Sequence, residues 1–298
     1  MPVIKSLSVG TGDMFYIVHA SDNFTMIDCN LKADNTNEII AELKQVSRTK
    51  GMSRFICTHP DEDHFRGIEL LDKALPIHNF YCVKNDAQKE QLTDSFLHYQ
   101  SLRDGDKAFY LEKGVRRRWL NERDDSRPAA GVQVLWPNVS NPNFIEALRR
   151  CDAGESPNNV SCVLRYSIKD GASFMWLGDL ETEFMESIVD DIELEKTTVV
   201  FASHHGRKSG KIPNSWLKKL DPQIIVIGEA PSRVMHYYTG YDTITQNSAG
   251  HITMDCKDGY VHFYASKESY THDLLNNKGE SRFPGYIGSL EVETEYTL

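Results

Sequence analysis

The residues best placed to do chemistry stand in Thr58-His59-Pro60-Asp61-Glu62-Asp63-His64-Phe65-Arg66-Gly67. Four potential metal ligands, His59, Asp61, Asp63 and His64, fall within six residues. His59 and Asp61 alternate along a segment that reads as extended, so both side chains can point the same way. Asp63 and His64 continue around the turn. Imidazole and carboxylate together suit a borderline cation such as zinc in an open catalytic site. Two adjacent clusters of this kind suit a pair of ions about 3.5–4 Å apart, the arrangement of two-metal hydrolysis. Such a centre needs distant donors, including a bridging carboxylate. The chain offers Asp179 in Leu177-Gly178-Asp179, and His204 and His205 in Ser203-His204-His205-Gly206. Taken alone, Asp179 reads equally well as a helix N-cap, and the two histidines as a surface pair.

These donors need elements to aim them. The run Arg54-Phe55-Ile56-Cys57-Thr58 is strand-like and leads into the first cluster. Short strands are expected over Ser6 to Val9, Met14 to Val18 and Asn23 to Asp28, with Gly10-Thr11-Gly12-Asp13 as a tight turn. The apolar spacing of Ile39, Ile40, Leu43 and Val46 predicts a helix from Asn35 to Arg48. A strand is expected at Phe80 to Val83 and a helix from Asp86 to Leu102. Val132 to Pro137 reads as a strand, and Pro142 to Pro157 as a long loop with one helical turn. Ser161 to Ile168 and Ser173 to Leu177 form a pair around Lys169-Asp170-Gly171, and a helix runs from Gly178 to Val189. Thr198 to Ala202 is a strand ending at the histidine pair, and Ile224 to Ile227 is a buried-type strand. A hairpin closes around Lys257-Asp258-Gly259. The fold class is α/β. Two β-rich halves, each with helices, suggest an αββα sandwich built as one domain. That domain spans 1–265, with 84–157 as a variable insertion or connection and 266–298 as a polar C-terminal extension.

Bulk properties narrow the partners. The chain has 298 residues, enough for a large core, with 40% hydrophobic and 26% charged residues. A formal charge of −10 argues against a protein that coats nucleic acid by general electrostatics, though a local basic groove remains open. No apolar run approaches the roughly 18–20 residues needed to cross a bilayer, so no membrane partner is expected. The N-terminus carries no secretory signal pattern. Six scattered cysteines without a CxxC read as free thiols in a reducing cytoplasm.

With these motifs in order, the chain resembles the metallo-β-lactamase-fold hydrolases, and within them the branch similar to the soluble C-terminal domain of the DNA-uptake protein ComEC. The superfamily pattern is HxHxDH. His59, Asp63 and His64 match it, and Asp61 stands where a second histidine is usual, a replacement the ComEC-like branch tolerates. Gly10-Thr11-Gly12-Asp13, Ile27-Asp28, Asn158-Asn159-Val160-Ser161, Leu177-Gly178-Asp179 and Ser203-His204-His205-Gly206 resemble the branch's further marks. The likeness covers roughly residues 4–265. It implies two divalent metal ions, one on His59 and Asp61 and one on Asp63 and His64. Asp179 bridges them, and His205 or His204 completes a shell, with His205 favoured. The usual third histidine is missing, and Asn158 or Asn159 stands near its place. Fewer nitrogens shift the preference from zinc towards manganese or magnesium.

The resemblance further implies a phosphodiesterase or nuclease acting on DNA or RNA through a two-metal-activated hydroxide, with Asp63 or Asp179 orienting the nucleophile. Arg207 and Lys208 are placed to bind phosphate beside the metals, with Asn158 and Asn159 as substrate neighbours. His236, in Val234-Met235-His236-Tyr237-Tyr238, stands where the branch has Gly-His-Pro and is a candidate to contact the scissile group. Arg116-Arg117-Arg118 with Trp119 and Arg123 reads either as a strand-tracking patch that stacks a base or as a solvated face. Two other functions fit the same residues: a carbon-centred hydrolase of lactonase or amidase type, and a non-catalytic partner-binding subunit with a retained metal site. The acidic surface or the C-terminal extension could serve a protein partner.

Overall fold

The computed structural model describes residues 1–230 and 237–293. His236 lies outside the described residues. The strands of the first half are β1 (Val3–Ser6), β2 (Phe15–Val18), β3 (Asn23–Ile27), β4 (Cys29–Asn30), β5 (Met52–Cys57), β6 (Phe65–Arg66), β7 (Phe80–Cys82) and β8 (Ala108–Tyr110). Those of the second half are β9 (Val132–Trp136), β10 (Val163–Ser167), β11 (Ser173–Trp176), β12 (Val199–Phe201), β13 (Ile224–Ile227), β14 (Thr243–Thr245), β15 (Ile252–Lys257), β16 (Tyr260–Ala265) and β17 (Tyr286–Glu291). The helices are α1 (Thr36–Ser47), α2 (Ile68–Ala74), α3 (Asp94–Arg103), α4 (Pro142–Asp152), α5 (Thr182–Ser187), α6 (Asn214–Leu220) and α7 (Gln246–Ala249).

Among the described residues, one nine-stranded sheet runs β17-β16-β15-β1-β2-β3-β5-β7-β8, and a six-stranded sheet runs β14-β13-β12-β11-β10-β9. Each sheet has a parallel part. β3, β5, β7 and β8 run together in the first, and β11, β12, β13 and β14 in the second. Parallel neighbours require crossover connections, here made by α1, α2 and α3 in one sheet and by α5 and α6 in the other. Loops beyond the carboxyl ends of such strands are where open sheets collect their functional groups.

Alternation along the strands separates two cores. Ile17, Ile27 and Ile56 of the large sheet share an apolar cluster with Val134, Leu164, Phe174 and Val200 of the small one. Their neighbours Phe24, Met26, Phe55 and Phe80 face the other way. They meet Ile39 and Leu43 of α1, Ile68 and Leu71 of α2, and Phe96 and Tyr99 of α3. The result is a mixed α/β molecule in which two sheets share one core and helices cover the far face of the larger.

Several elements differ from the sequence expectation. Pro142 to Pro157 is not a loop with a single turn, because α4 occupies most of it. Asn141 caps that helix, accepting from the N–H groups of Asn143 and Phe144 at 2.8 and 3.2 Å. Its apolar residues Phe144, Ala147 and Cys151 are buried. The helix expected from Asp86 starts only at Asp94, where the Thr93 hydroxyl caps it. The stretch taken as an insertion, 84–157, also contributes an edge strand to each sheet, β8 and β9. The C-terminal extension is not wholly irregular either, because β17 pairs antiparallel with β16. No described helix is long and apolar enough to cross a membrane.

Beside β2, His19 is buried, 2.8 Å from the Thr25 hydroxyl through Nε2 and edge-on to Tyr166. Burial, with the charges of Arg54 and Lys50, pushes its pKa down to about 3, so it stays neutral in the folded chain. An unfolded chain protonates this residue below about 6.5. Its contribution is therefore fully present above that pH and is lost as pH falls towards the folded value. Urea melts between pH 7 and pH 4 should show wild type losing about 1–3 kcal/mol more than His19→Gln over that interval.

Candidate metal centre

Four chain segments meet where the parallel strands of the two sheets end. The loop after β5 carries His59, Asp61, Asp63 and His64. The loop after β11 carries Asp179, and the loop after β12 carries His204 and His205. The turn between β1 and β2 carries Asp13. Asp179 is the point of convergence, and it is buried. His64 Nε2 lies 3.2 Å from its Oδ1, while His205 Nε2, His204 Nε2 and His59 Nε2 lie 3.5, 3.7 and 3.8 Å from its Oδ2. Asp63 stands at the mouth, with Oδ2 3.4 Å from His205 Nε2 and Oδ1 4.0 Å from His64 Nε2. Asp13, His64, Asp179 and His205 bring donor atoms within 4.8 Å of one another, and all four residues are buried.

The far sides of the His64 and His59 rings are fixed by further oxygen atoms. His64 Nδ1 donates to Asp28 Oδ2 at 2.8 Å. Asp28 also accepts from the Thr58 N–H and hydroxyl, both at 2.7 Å. The Thr58 oxygen lies 3.1 Å from His59 Nδ1. Its own hydrogen is spent on Asp28, so it accepts the His59 proton. His205 differs, because its Nδ1 lies 3.1 Å from Asp13 Oδ1 without a hydrogen-bond partner and Asp13 stands among the donors themselves. A carboxylate or hydroxyl behind a ring fixes the tautomer and turns Nε2 forward as a lone pair.

These lone pairs test whether cations fit. His59 Nε2, His64 Nε2, His205 Nε2 and Asp179 Oδ1 are buried and have no hydrogen-bond partner. The His59 lone pair faces a carboxylate, acceptor against acceptor, which a cation or a donor placed between them reconciles. Burial, then the neighbouring His64, pushes His59 down to about 3, so it supplies no proton of its own. Burial also disfavours charge on His64 and His205, but carboxylates outweigh it. Asp179 and Asp28 hold His64 well above its ordinary value, and Asp179 and Asp13 hold His205 up at about 10. Burial would raise Asp179, yet the charges of His64 and His205 hold it well below the usual carboxylate range. Without a cation the site collects protons on the atoms that a divalent ion would use. The donor set fits divalent ions.

Local backbone explains the aim. Gly178 has φ +54°, and a Cβ there would stand 2.7 Å from the Ser161 side chain. Ser161 Oγ accepts from the Asp179 N–H at 2.9 Å, so the glycine and the serine together set the carboxylate. Gly12 has φ +127°, and a Cβ there would sit 2.6 Å from the Asp63 carbonyl oxygen. His204 and His205 both lie in the left-handed region, with φ of 52° and 55°, a strained conformation for side-chain-bearing residues that is typical of functional loops.

The residues named from sequence separate into groups. His59, Asp63, His64, Asp179 and His205 come together around one point. Of the histidine pair, His205 is the deeper. His204 Nε2 also meets Arg207 Nη1 at 3.3 Å, and its Nδ1 meets the Ser209 hydroxyl at 2.9 Å. Asp61 turns towards Lys89, which donates to it at 2.7 Å. Asn158 is buried on the segment that leads to Ser161. Asn159 is engaged elsewhere, exchanging hydrogen bonds with the Glu181 side chain and N–H at 2.9 and 3.0 Å. Lys208 is exposed. The arginine run is engaged within the chain: Arg116 pairs with Glu122, Arg117 covers the Phe109 ring and Arg118 reaches Asp124. Arg127 lies over the Trp119 ring at 4.8 Å, where a base would have to stack. The Trp119 carbonyl accepts from Arg54, near the start of β5, whereas the metal loop leaves its end. Sequence reasoning missed Asp13 and Asp28 as site residues. The stretches that carry them, Gly10-Thr11-Gly12-Asp13 and Ile27-Asp28, resemble marks of the branch, but neither carboxylate was assigned to the site.

No family model and no curated protein matches this chain. One solved structure to which it is similar is that of Igni18, described as a novel metallo hydrolase from the hyperthermophilic archaeon Ignicoccus hospitalis KIN4/I. That match has a TM-score of 0.47 and 14% identity, and covers 86% of this chain and 100% of the other.

Asp28→Asn removes the carboxylate that orients His64 while nearly preserving side-chain volume. Mn²⁺ affinity measured by calorimetry should fall about 10–100-fold, with the far-ultraviolet circular dichroism of the protein unchanged.

Proposed function

We propose that this protein is a metal-dependent hydrolase of the metallo-β-lactamase type, an αββα sandwich, and that it cleaves phosphodiester bonds in DNA or RNA. The observation that carries the reading is the convergence of His59, His64 and His205 on one buried carboxylate, Asp179. A merely structural polar cluster would satisfy its own lone pairs, whereas the neutral His59 leaves its Nε2 unpartnered and facing the Asp179 carboxylate.

In this reading Asp63, His64, His205 and Asp13 would hold one ion and His59 and Asp61 a second, with Asp179 available to both. Ions held there would supply Lewis acidity and a nucleophilic hydroxide near neutral pH. Asp63, whose side chain is 22% exposed, stands at the mouth of the group around Asp179. It is assigned the task of orienting the attacking water. Arg207, 3.3 Å from His204, brings positive charge beside this acidic centre, and the exposed Lys208 follows it in sequence. They suit a phosphoryl oxygen better than a neutral carbonyl. Asp13, Asp61, Asp63 and Asp179 make oxygen a major part of the donor set, which favours Mn²⁺ or Mg²⁺ relative to an imidazole-rich zinc site.

The test is cleavage of single- and double-stranded DNA, RNA and bis(p-nitrophenyl) phosphate by metal-free protein reconstituted with Mn²⁺, Mg²⁺ or Zn²⁺. Mn²⁺ should support turnover at least as well as Zn²⁺, and a chelator should abolish it. Asp179→Asn and His64→Ala should each lower kcat by about 10³-fold or more. Arg207→Ala should raise KM for the phosphodiester by about tenfold with a smaller change in kcat. Absence of turnover with every phosphodiester, beside hydrolysis of a lactone or amide, would overturn the substrate assignment.

A further inference from the structure

Lys89 lies on the loop between β7 and α3, and no motif points to it. The loop is pinned on both sides. The Asp86 N–H donates to Asp152 of α4 at 2.8 Å, and the Thr93 hydroxyl donates to Glu62 at 3.0 Å. Between these anchors the Lys89 ammonium reaches Asp61 Oδ1 at 2.7 Å. The same oxygen accepts from the Glu62 N–H at 2.8 Å. One of the two Asp61 oxygens is thus taken by two donors, and one of those is a full positive charge. The other donors differ. Asp13, His64, Asp179 and His205 already stand with their atoms within 4.8 Å of one another, and Asp61 and His59 are outside that group.

We infer that Lys89 is a resident counter-cation for Asp61 that competes with the second metal ion, so that the two ion positions load unequally. This rests on the two-ion reading proposed above. The position formed by Asp13, Asp63, His64, Asp179 and His205 is assembled in advance and loads first. The position on His59 and Asp61 loads second, because an ion arriving there meets a like charge beside its carboxylate and finds one of the two carboxylate oxygens already taken. Repulsion between a divalent ion and a fixed ammonium a few ångströms apart in a partly buried site is large enough to separate two affinities. The contact is a salt bridge with side chains 26% and 33% exposed, so the lysine can swing away into solvent when the ion wins.

The experiment is a Mn²⁺ titration of the chelator-treated full chain. Calorimetry reads affinity, and electron paramagnetic resonance separates isolated from spin-coupled Mn²⁺. No substrate is needed. Wild type should bind one ion tightly and a second about tenfold or more weakly, with the coupled signal appearing only in the second phase. In Lys89→Met, and equally in Lys89→Gln, the second ion should tighten by about tenfold or more while the first stays within about twofold. Lys89→Arg, which keeps the charge, should behave as wild type. Two ions whose affinities do not respond to loss of the lysine charge would overturn the role of Lys89 and leave the two-ion reading standing. Binding of a single ion, or none, in wild type and variants alike would overturn the two-ion reading and this inference with it.

Discussion

Asp179 is a carboxylate withdrawn from water and surrounded by imidazoles that are themselves withdrawn. Burying such a charge is costly unless positive charge is supplied close by, and this demand shapes everything around it. It explains why four segments far apart in sequence end at one point. It also explains why the rings are held from behind rather than left to rotate. The two sheets satisfy it by directing the carboxyl ends of their parallel strands to a common edge, so that β5, β11 and β12 each leave their sheet at the site. The antiparallel strands build the core that holds those ends in place.

Thr58 ties these parts together. Its N–H and hydroxyl fix Asp28, its hydroxyl oxygen receives His59, and its carbonyl accepts from the Cys162 N–H at 3.0 Å. That last bond joins the end of β5 in the large sheet to the segment entering β10 in the small one. Ser203 does similar work on the other side, donating to the carbonyl of Leu180 at 2.7 Å. Neither hydroxyl need touch substrate. Both convert the stacking of two sheets into the placement of side chains, which is where the tolerance for error is smallest.

Much of the fold and part of the site were legible from sequence, for identifiable reasons. His59, Asp61, Asp63 and His64 stand out because a local spacing creates their pattern. Asp179 and His205 stand out because each closes an apolar strand. The remaining features depend on contacts that no local pattern encodes. Asn159 looks free in sequence but is clamped by Glu181, and Trp119 looks like a stacking platform until Arg127 covers it. Asp13 looks like a turn residue until the β1–β2 turn is folded against His205. Lys89 is one lysine in a charged stretch until the loop is pinned beside Asp61. Helix α4 was under-read because its polar composition hid the spacing of Phe144, Ala147 and Cys151, although Asn141-Pro142 carried a readable cap signal. Strand β17 was missed because its pairing partner, not its composition, makes it a strand.

The donors come from both sheets, and this carries a consequence for the life of the folded chain. His64 belongs to the large sheet and Asp179 and His205 to the small one, so an ion held among them is a rivet through the seam. An unfolded or half-assembled chain has no equivalent set. Occupancy therefore selects the fully docked state and adds to its stability by mass action, in proportion to the logarithm of free ion over dissociation constant. Ion supply would then govern how long the molecule persists as well as how fast it works, and depletion would loosen the join between the sheets before it touched the core between the large sheet and its helices.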